Sequence, residues 1–316
     1  MKLFACSSES LTRNSASDLL ATCKGSIKTC SPLTITFAGT NILMSALTDQ
    51  LKETTNYIGR HCNTDPSVGI ILGSGLGNFI SEMKVEKEIL YDNIPHFPVS
   101  TVEGHNGKLI FGEINGKQVV AMAGRFHFYE GYSPQQVIYP IRVMKMLGVQ
   151  TILISNAAGS VNEKFAVGDL MIIKDHISFF TLNPLLGKNE DSIGERFPDM
   201  SAPYNISIIA KAKTLAETLQ IPVHLGVYTG VTGPTFETRS EYQLIKVLGG
   251  DAVGMSTVQE VIAAVHCGMK VFAMSVITDI GIRDEENTIT HEEVLRAAKD
   301  AEPKLTAIFT NLIGEL

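Results

Sequence analysis

Lys108-Leu-Ile-Phe-Gly-Glu-Ile114, Asn115-Gly116, Lys117, Gln118-Val-Val-Ala-Met-Ala123 and Gly124-Arg-Phe-His-Phe-Tyr-Glu-Gly-Tyr132 follow one another without a break. Two apolar segments of strand length flank Asn-Gly, the pair that best accepts the positive φ of a two-residue hairpin turn. The second segment runs into Arg125, His127 and Tyr129, spaced by two. Alternate side chains of an extended segment share a face, so the three should leave a buried strand together. A bidentate cation, an imidazole and a phenol on one face suit an oxyanion beside a hydroxyl. The plainer alternative is a strand end whose polar groups meet solvent or a carboxylate.

Around this hairpin, strand and helix signals alternate from residue 66 onward. Strands are predicted at 68–72, 151–155, 170–173, 223–231, 252–255 and 271–278. Ser133-Pro134 opens a helix predicted to close at Gly148, and further helices are predicted at 206–219 and 238–248. Ser256 is expected to cap the helix after it, and Thr290-His-Glu-Glu293 reads as a capping box for a C-terminal helix. Residues 181–204, rich in Asn, Pro, Gly and Asp, form a long loop, usually a functional choice in a compact domain. No linker or repeat divides residues 44–316. The pattern predicts a single α/β domain with a mixed, twisted β-sheet flanked by helices, because the hairpin interrupts the β–α alternation.

In such sheets ligands bind beyond the carboxyl ends of strands. Polar clusters follow the predicted strands: Gly73–Gly77, Arg125–Tyr129, Asn156–Gly159, Phe236-Glu237, Met255-Ser256 and Thr278-Asp279. These exits could converge on one pocket. Gly73-Ser-Gly-Leu-Gly77 is not a dinucleotide fingerprint, since Asn78 stands where the third glycine belongs. It is not a nucleophile elbow either, because Leu72 stands where that motif needs Gly. A glycine turn presenting Ser74 and backbone N–H groups to an anion fits better. Asn156-Ala-Ala-Gly159 is either a plain turn or a place where backbone approaches a flat ligand.

Composition narrows the function classes. The chain is 44% hydrophobic and 19% charged, which suits a soluble globular enzyme. Its net charge is −7 and it has no long basic run, which argues against nucleic acid. No apolar run reaches the ~18 residues of a membrane span. Cysteines at 6, 23, 30, 62 and 267 form no C-x-x-C pair, and no H-E-x-x-H occurs, so no metal is expected and a reducing, cytoplasmic setting is. The first 43 residues differ from the rest. They hold 13 Ser or Thr and four basic against two acidic residues. They read as a disordered leader or as the stretch before a true start at Met44, with a transit peptide as the alternative.

Taken together, the motifs from about Met44 onward resemble the trimeric purine nucleoside phosphorylases. The matching stretches are Gly73–Gly77, Gly104-His105, Gly124–Tyr132, Asn156–Gly159, Gly233-Pro-Thr-Phe-Glu237, Val253-Gly-Met-Ser-Thr257 and His291-Glu-Glu-Val-Leu295. The resemblance implies a nucleoside phosphorylase-like fold and reversible phosphorolysis of purine nucleosides, with inorganic phosphate as co-substrate and no cofactor. It puts phosphate at Ser74, His105, Arg125, His127, the Ala157 backbone and Ser256. Ribose would meet Tyr129 and Met255, with His291 at the 5′-hydroxyl. The base would lie against Phe236 and Val253, with Glu237 at its N1 edge and Thr278-Asp279 at N7. Asp279, Glu237 and His127 are the catalytic candidates. The implied assembly is a homotrimer in which Ile193 reaches a neighbour's pocket.

Two positions depart from the family pattern. Ile193 stands where Phe is frequent, and Asp279 stands where Asn is usual. The related methylthioadenosine phosphorylases carry Asp there, so a 6-aminopurine-preferring enzyme is the alternative within this reaction class. A non-catalytic nucleoside-binding or storage protein is the alternative outside it. Two carboxylates in one dry pocket would lead one of them to keep its proton. Residues 1–43 have no counterpart in the family pattern. A chain starting at Met44 should therefore keep its melting temperature and activity; aggregation or lost turnover of that truncation would place the leader within the fold.

Overall fold

The computed structural model of the protein describes residues 46–63, 65–99, 107–282 and 289–316. His105 lies outside these described residues. The decisive hairpin forms as its sequence dictates. β3 (Lys108–Ile114) pairs antiparallel with β4 (Lys117–Ala123), and the turn between them holds Asn115 at φ 48° and Gly116 at φ 77°. β1 (Val68–Ile71) lies parallel to both β4 and β5 (Thr151–Ser160), and the apolar run 68–72 is buried throughout.

Among the described residues nine strands form one mixed sheet in the order β2-β3-β4-β1-β5-β8-β7-β6-β9. The remaining strands are β2 (Lys84–Leu90), β6 (Leu170–Ile177), β7 (Val223–Gly230), β8 (Ala252–Gly254) and β9 (Lys270–Ile280). β9 pairs antiparallel with β6 and parallel with β5, so the sheet curls until β5, β8, β7, β6 and β9 make a closed circuit. A mixed sheet is what the hairpin predicts; the closure is not visible in any local pattern.

Several local readings need correction. After α1 (Ala46–His61), the helix predicted from 133 to 148 is two, α2 (Pro134–Val137) and α3 (Tyr139–Met146), because Pro140 cannot donate an N–H to a continuous ladder and sits in the first turn of a new helix instead; α4 (Ile206–Thr218) and α5 (Arg239–Val247) follow. β2 was not expected, being a charged edge strand with little apolar signal. β5 does not stop at Ser155 but continues through Asn156-Ala-Ala-Gly159, so this stretch is not a turn. β9 likewise continues through Thr278-Asp279. Both extensions exist because β5 and β9 pair with each other along their whole length, which outweighs the poor strand preference of Asn, Ala and Gly.

The helix α6 (Val258–His266) is capped by Thr257 rather than Ser256. The predicted capping box of the last helix, α7 (His291–Gly314), forms: the Glu293 amide donates to Thr290 Oγ1 at 3.3 Å. α7 packs its Leu305, Ile308, Phe309 and Leu312 into the core, with the Phe309 ring 5.8 Å from that of Phe272 on β9 and 6.2 Å from that of Phe79. Glu302 of α7 accepts from the Phe79 amide and from Asn78, just beyond the Gly73–Gly77 turn. One helix thus ties that turn to the sheet. Among the described residues no helix is long and apolar enough to cross a membrane.

Candidate active site

The ends of β1, β4, β5, β8 and β9 open into one cavity of about 420 Å³, closed on further sides by the 234–237 segment and the start of α7. Ser74 enters from the turn after β1. Gly73 lets that turn lie on β5, where a Cβ would come within 2.8 Å of Asn156 Cα, and its amide donates to Ser155 Oγ at 3.1 Å. Backbone and Ser74 hydroxyl therefore face the cavity from a fixed position.

Arg125 follows β4 with only 1% of its surface exposed. Its Nη1 donates to Ser256 Oγ at 2.7 Å and to Thr257 Oγ1 at 3.2 Å, and its Nη2 to the Ser155 carbonyl at 2.5 Å. Glu260 Oε2 lies 3.5 Å from Nη1. His127 keeps the extended conformation, but a 3₁₀ turn (Phe128–Glu130) begins immediately after it. Tyr129 is therefore brought to the cavity by that turn, not by strand alternation, and its ring stacks on His127 at 4.7 Å. Glu130 Oε1 accepts from both His127 Nδ1, at 3.0 Å, and the His127 amide, at 2.8 Å. That bond fixes the ring and leaves Nε2 as its other hydrogen-bonding atom. Burial, with Glu130's charge adding, pushes the Tyr129 phenol up to about 12, so it stays a neutral donor.

Ser256 sits before a strained residue. Thr257 has φ 72° and ψ −53°, with the Val258 amide bonded to the Ser256 carbonyl at 2.8 Å, a tight turn rarely accepted by a β-branched residue. Asn156 Nδ2 donates to Thr257 Oγ1 at 2.8 Å and the Thr257 amide donates to Glu260 at 3.1 Å, so four partners over-determine it. Under Ser256 lies Tyr228, whose hydroxyl accepts from the Ser256 amide at 3.4 Å; burial pushes that phenol up to about 12.

The opposite end of the cavity is acidic. Phe236, Glu237, Val253, Thr278 and Asp279 line it, beside Ala157, Ala158 and Gly159 of β5. Gly159 is needed here, because a Cβ would fall 2.6 Å from Asp279 Oδ2. Thr278 Oγ1 donates to Asp279 Oδ1 at 3.0 Å. Burial raises the Glu237 carboxyl above its ordinary value and the charge of Asp279 raises it further, while hydrogen bonds from its own amide and Tyr242 oppose this. Tyr129, Met255 and the exposed His291 also line the cavity.

The cavity therefore collects Ser74, Arg125, His127, Tyr129, Ala157, Phe236, Glu237, Val253, Met255, Ser256, Thr278, Asp279 and His291. Ile193 does not line it; this side chain packs half-buried against the core of its own chain. Sequence reading missed Glu130, Tyr228, Thr257 and Glu260. Thr257-Val-Gln-Glu260 is a readable capping-box pattern before an apolar run, and Glu130 stands three residues after His127. Tyr228 carries no such signal. Among the described residues no three His, Cys, Asp or Glu side chains gather into a metal-binding group.

Residues 67–314 match the model of the phosphorylase superfamily. The chain belongs to that superfamily. It is 46% identical to purine nucleoside phosphorylase 1 of Bacillus subtilis, over 84% of this chain and 96% of that one. It is 44% identical to the bovine purine nucleoside phosphorylase, over 85% and 95%. Among solved structures it superimposes on isoform 2 of the Schistosoma mansoni enzyme, in complex with cytosine and ribose-1-phosphate, with a TM-score of 0.81 at 46% identity, covering 85% of this chain and 96% of that one. A second Schistosoma mansoni purine nucleoside phosphorylase, in complex with inosine, gives 0.81 at 40% identity and the same coverage.

The upward shift of Glu237 has a consequence for stability. A carboxyl whose folded pKa exceeds its unfolded value lets the native state bind more protons than the unfolded state between the two. Stability is then whole below the unfolded value, 4.5 for Glu, and falls as pH rises through the folded one. Glu237→Gln should raise the melting temperature at pH 7 and leave it unchanged at pH 4. Equal effects at both pH values would remove the carboxyl from this account.

Proposed function

We propose that this protein is a purine nucleoside phosphorylase, which cleaves purine (deoxy)ribonucleosides with inorganic phosphate to free base and (deoxy)ribose 1-phosphate, reversibly, for purine salvage. The observation that carries this reading is the two-ended cavity: anion-binding groups at one end, a ring-and-carboxylate wall at the other. Phosphate sits with Ser74, Arg125, His127, Ser256 and the Ala157 amide. Ribose lies between Tyr129, Met255 and His291, and the purine lies on Phe236 and Val253. Breaking the glycosidic bond leaves negative charge on the purine and positive charge on the sugar. Phosphate stabilises the cationic sugar, and Asp279 accepts a hydrogen bond from N7 once that atom carries a proton. The solved relatives include complexes with inosine, guanosine and adenosine. The assay is release of hypoxanthine from inosine, run beside adenosine. Phosphate-dependent release is expected; binding without turnover would favour a nucleoside-storage protein.

Glu237 accepts the N1–H that 6-oxopurines carry, which favours inosine and guanosine. Asp279 cannot donate to O6 while ionised, and it can accept from a 6-amino group, so discrimination against adenosine is weaker than Asn would give. This is the ground for the 6-amino alternative. Hydrogen-bond discrimination of this kind is worth ~1–3 kcal/mol. Asp279→Asn should therefore raise the inosine-to-adenosine ratio of kcat/KM severalfold. An unchanged or lower ratio would take residue 279 away from position 6 of the base.

The working form is a homotrimer of cytoplasmic subunits. Phe179, Leu182, Leu186 and Phe197 are exposed on and beside the 181–204 loop, an apolar rim with little reason to face water. Ile193 belongs to that loop and would close the cavity of the adjoining subunit. Light scattering should give three times the subunit mass; a fully active monomer would sink the shared pocket.

A further inference from the structure

We propose that Glu260, which does not line the cavity, is a positioning residue that limits how tightly phosphate is held, acting through Arg125. The inference rests on the phosphorolytic reading above. Three observations lead to it. Glu260 is buried to 3% exposure on the first turn of α6, and its carboxylate lies 3.5 Å from Arg125 Nη1. The same Oε2 accepts the Thr257 amide at 3.1 Å, so it holds the strained turn that carries Ser256. Arg125 in turn bonds Ser256 Oγ and Thr257 Oγ1. One carboxylate therefore braces both the cation and the hydroxyl that face the anion end.

The charge does more than brace. A guanidinium this deeply buried is costly unless an opposite charge lies beside it. In the empty site Glu260 supplies that charge, and the pocket stays assembled without ligand. Once phosphate arrives, the same carboxylate is a like charge behind Arg125, in a setting where Tyr91, Tyr204 and Tyr228 all feel it. It weakens phosphate and ribose 1-phosphate together, which favours product release. A plain helix cap would need only an acceptor at this place, and Gln supplies one without the charge.

Glu260→Gln separates the two roles. The expected result is a phosphate KM lower by roughly three- to tenfold, from the lost like-charge repulsion. Inhibition by ribose 1-phosphate should tighten in parallel, with the inosine KM unmoved. The melting temperature without phosphate should fall, and saturating phosphate should raise it by more than in the parent, because phosphate now supplies the missing charge. Glu260→Asp keeps the charge and should keep the phosphate KM within about twofold. A Gln variant with an unchanged or higher phosphate KM overturns the proposal, as does one that fails to fold even in phosphate. A Gln variant that folds only in phosphate supports it. If the parent itself shows no phosphate-dependent cleavage, the functional reading fails instead.

Discussion

A guanidinium at 1% exposure needs hydrogen-bond acceptors and an opposite charge, and the arrangement around Arg125 follows from that demand. The Ser155 carbonyl comes from β5, Ser256 and Thr257 from the entry to α6, and Glu260 from the helix itself. With Arg125's own segment after β4, three separate parts of the chain must therefore arrive at one point before the charge is tolerable. The same convergence builds the anion end of the cavity. Asn156 and Thr257 are bonded to each other and Ser155 bonds the Gly73 amide, so β1, β4, β5 and α6 share one polar network. Such a network rigidifies when every member is satisfied and is costly when one is removed.

Strain and burial have a division of labour here. The cost of Thr257's backbone is of order 1–3 kcal/mol, carried by the packed structure around it. What it gains is direction: Ser256 lines the cavity at the point where α6 begins. His127 is treated differently. Its backbone is relaxed, and one oxygen of Glu130 from the next turn accepts from the His127 amide and bonds the ring Nδ1, which orients the ring. Both devices place a donor without needing the ligand to order it, which is the advantage of a preorganised site.

The base end depends on the β5–β9 pairing. Its irregularity between Ala158 and Gly159 sets Gly159 opposite Asp279, and the absent Cβ gives the carboxylate its space. Burial raises the Glu237 carboxyl, and the charge of Asp279 adds to that push. α7 closes the arrangement, holding His291 at the rim by its first turn and the Gly73–Gly77 turn by Glu302 further along.

By itself the sequence determined what depends on neighbours in the chain. The Asn115-Gly116 hairpin, the apolar strand at 68–72 and the Thr290–Glu293 cap are all local, because turn chemistry, periodicity and capping act over a few residues. Family resemblance extended that reading to most of the cavity's side chains. Tertiary structure decided the rest. The continuation of β5 through Asn156–Gly159 and of β9 through Asp279 rests on a pairing between segments about 120 residues apart, which no local preference encodes. The closure of the sheet, Tyr228 beneath Ser256 and the Glu260–Arg125 pair have the same origin. Each is a contact between residues that only meet once the chain has folded, so its energy belongs to the three-dimensional arrangement and to no single stretch of sequence.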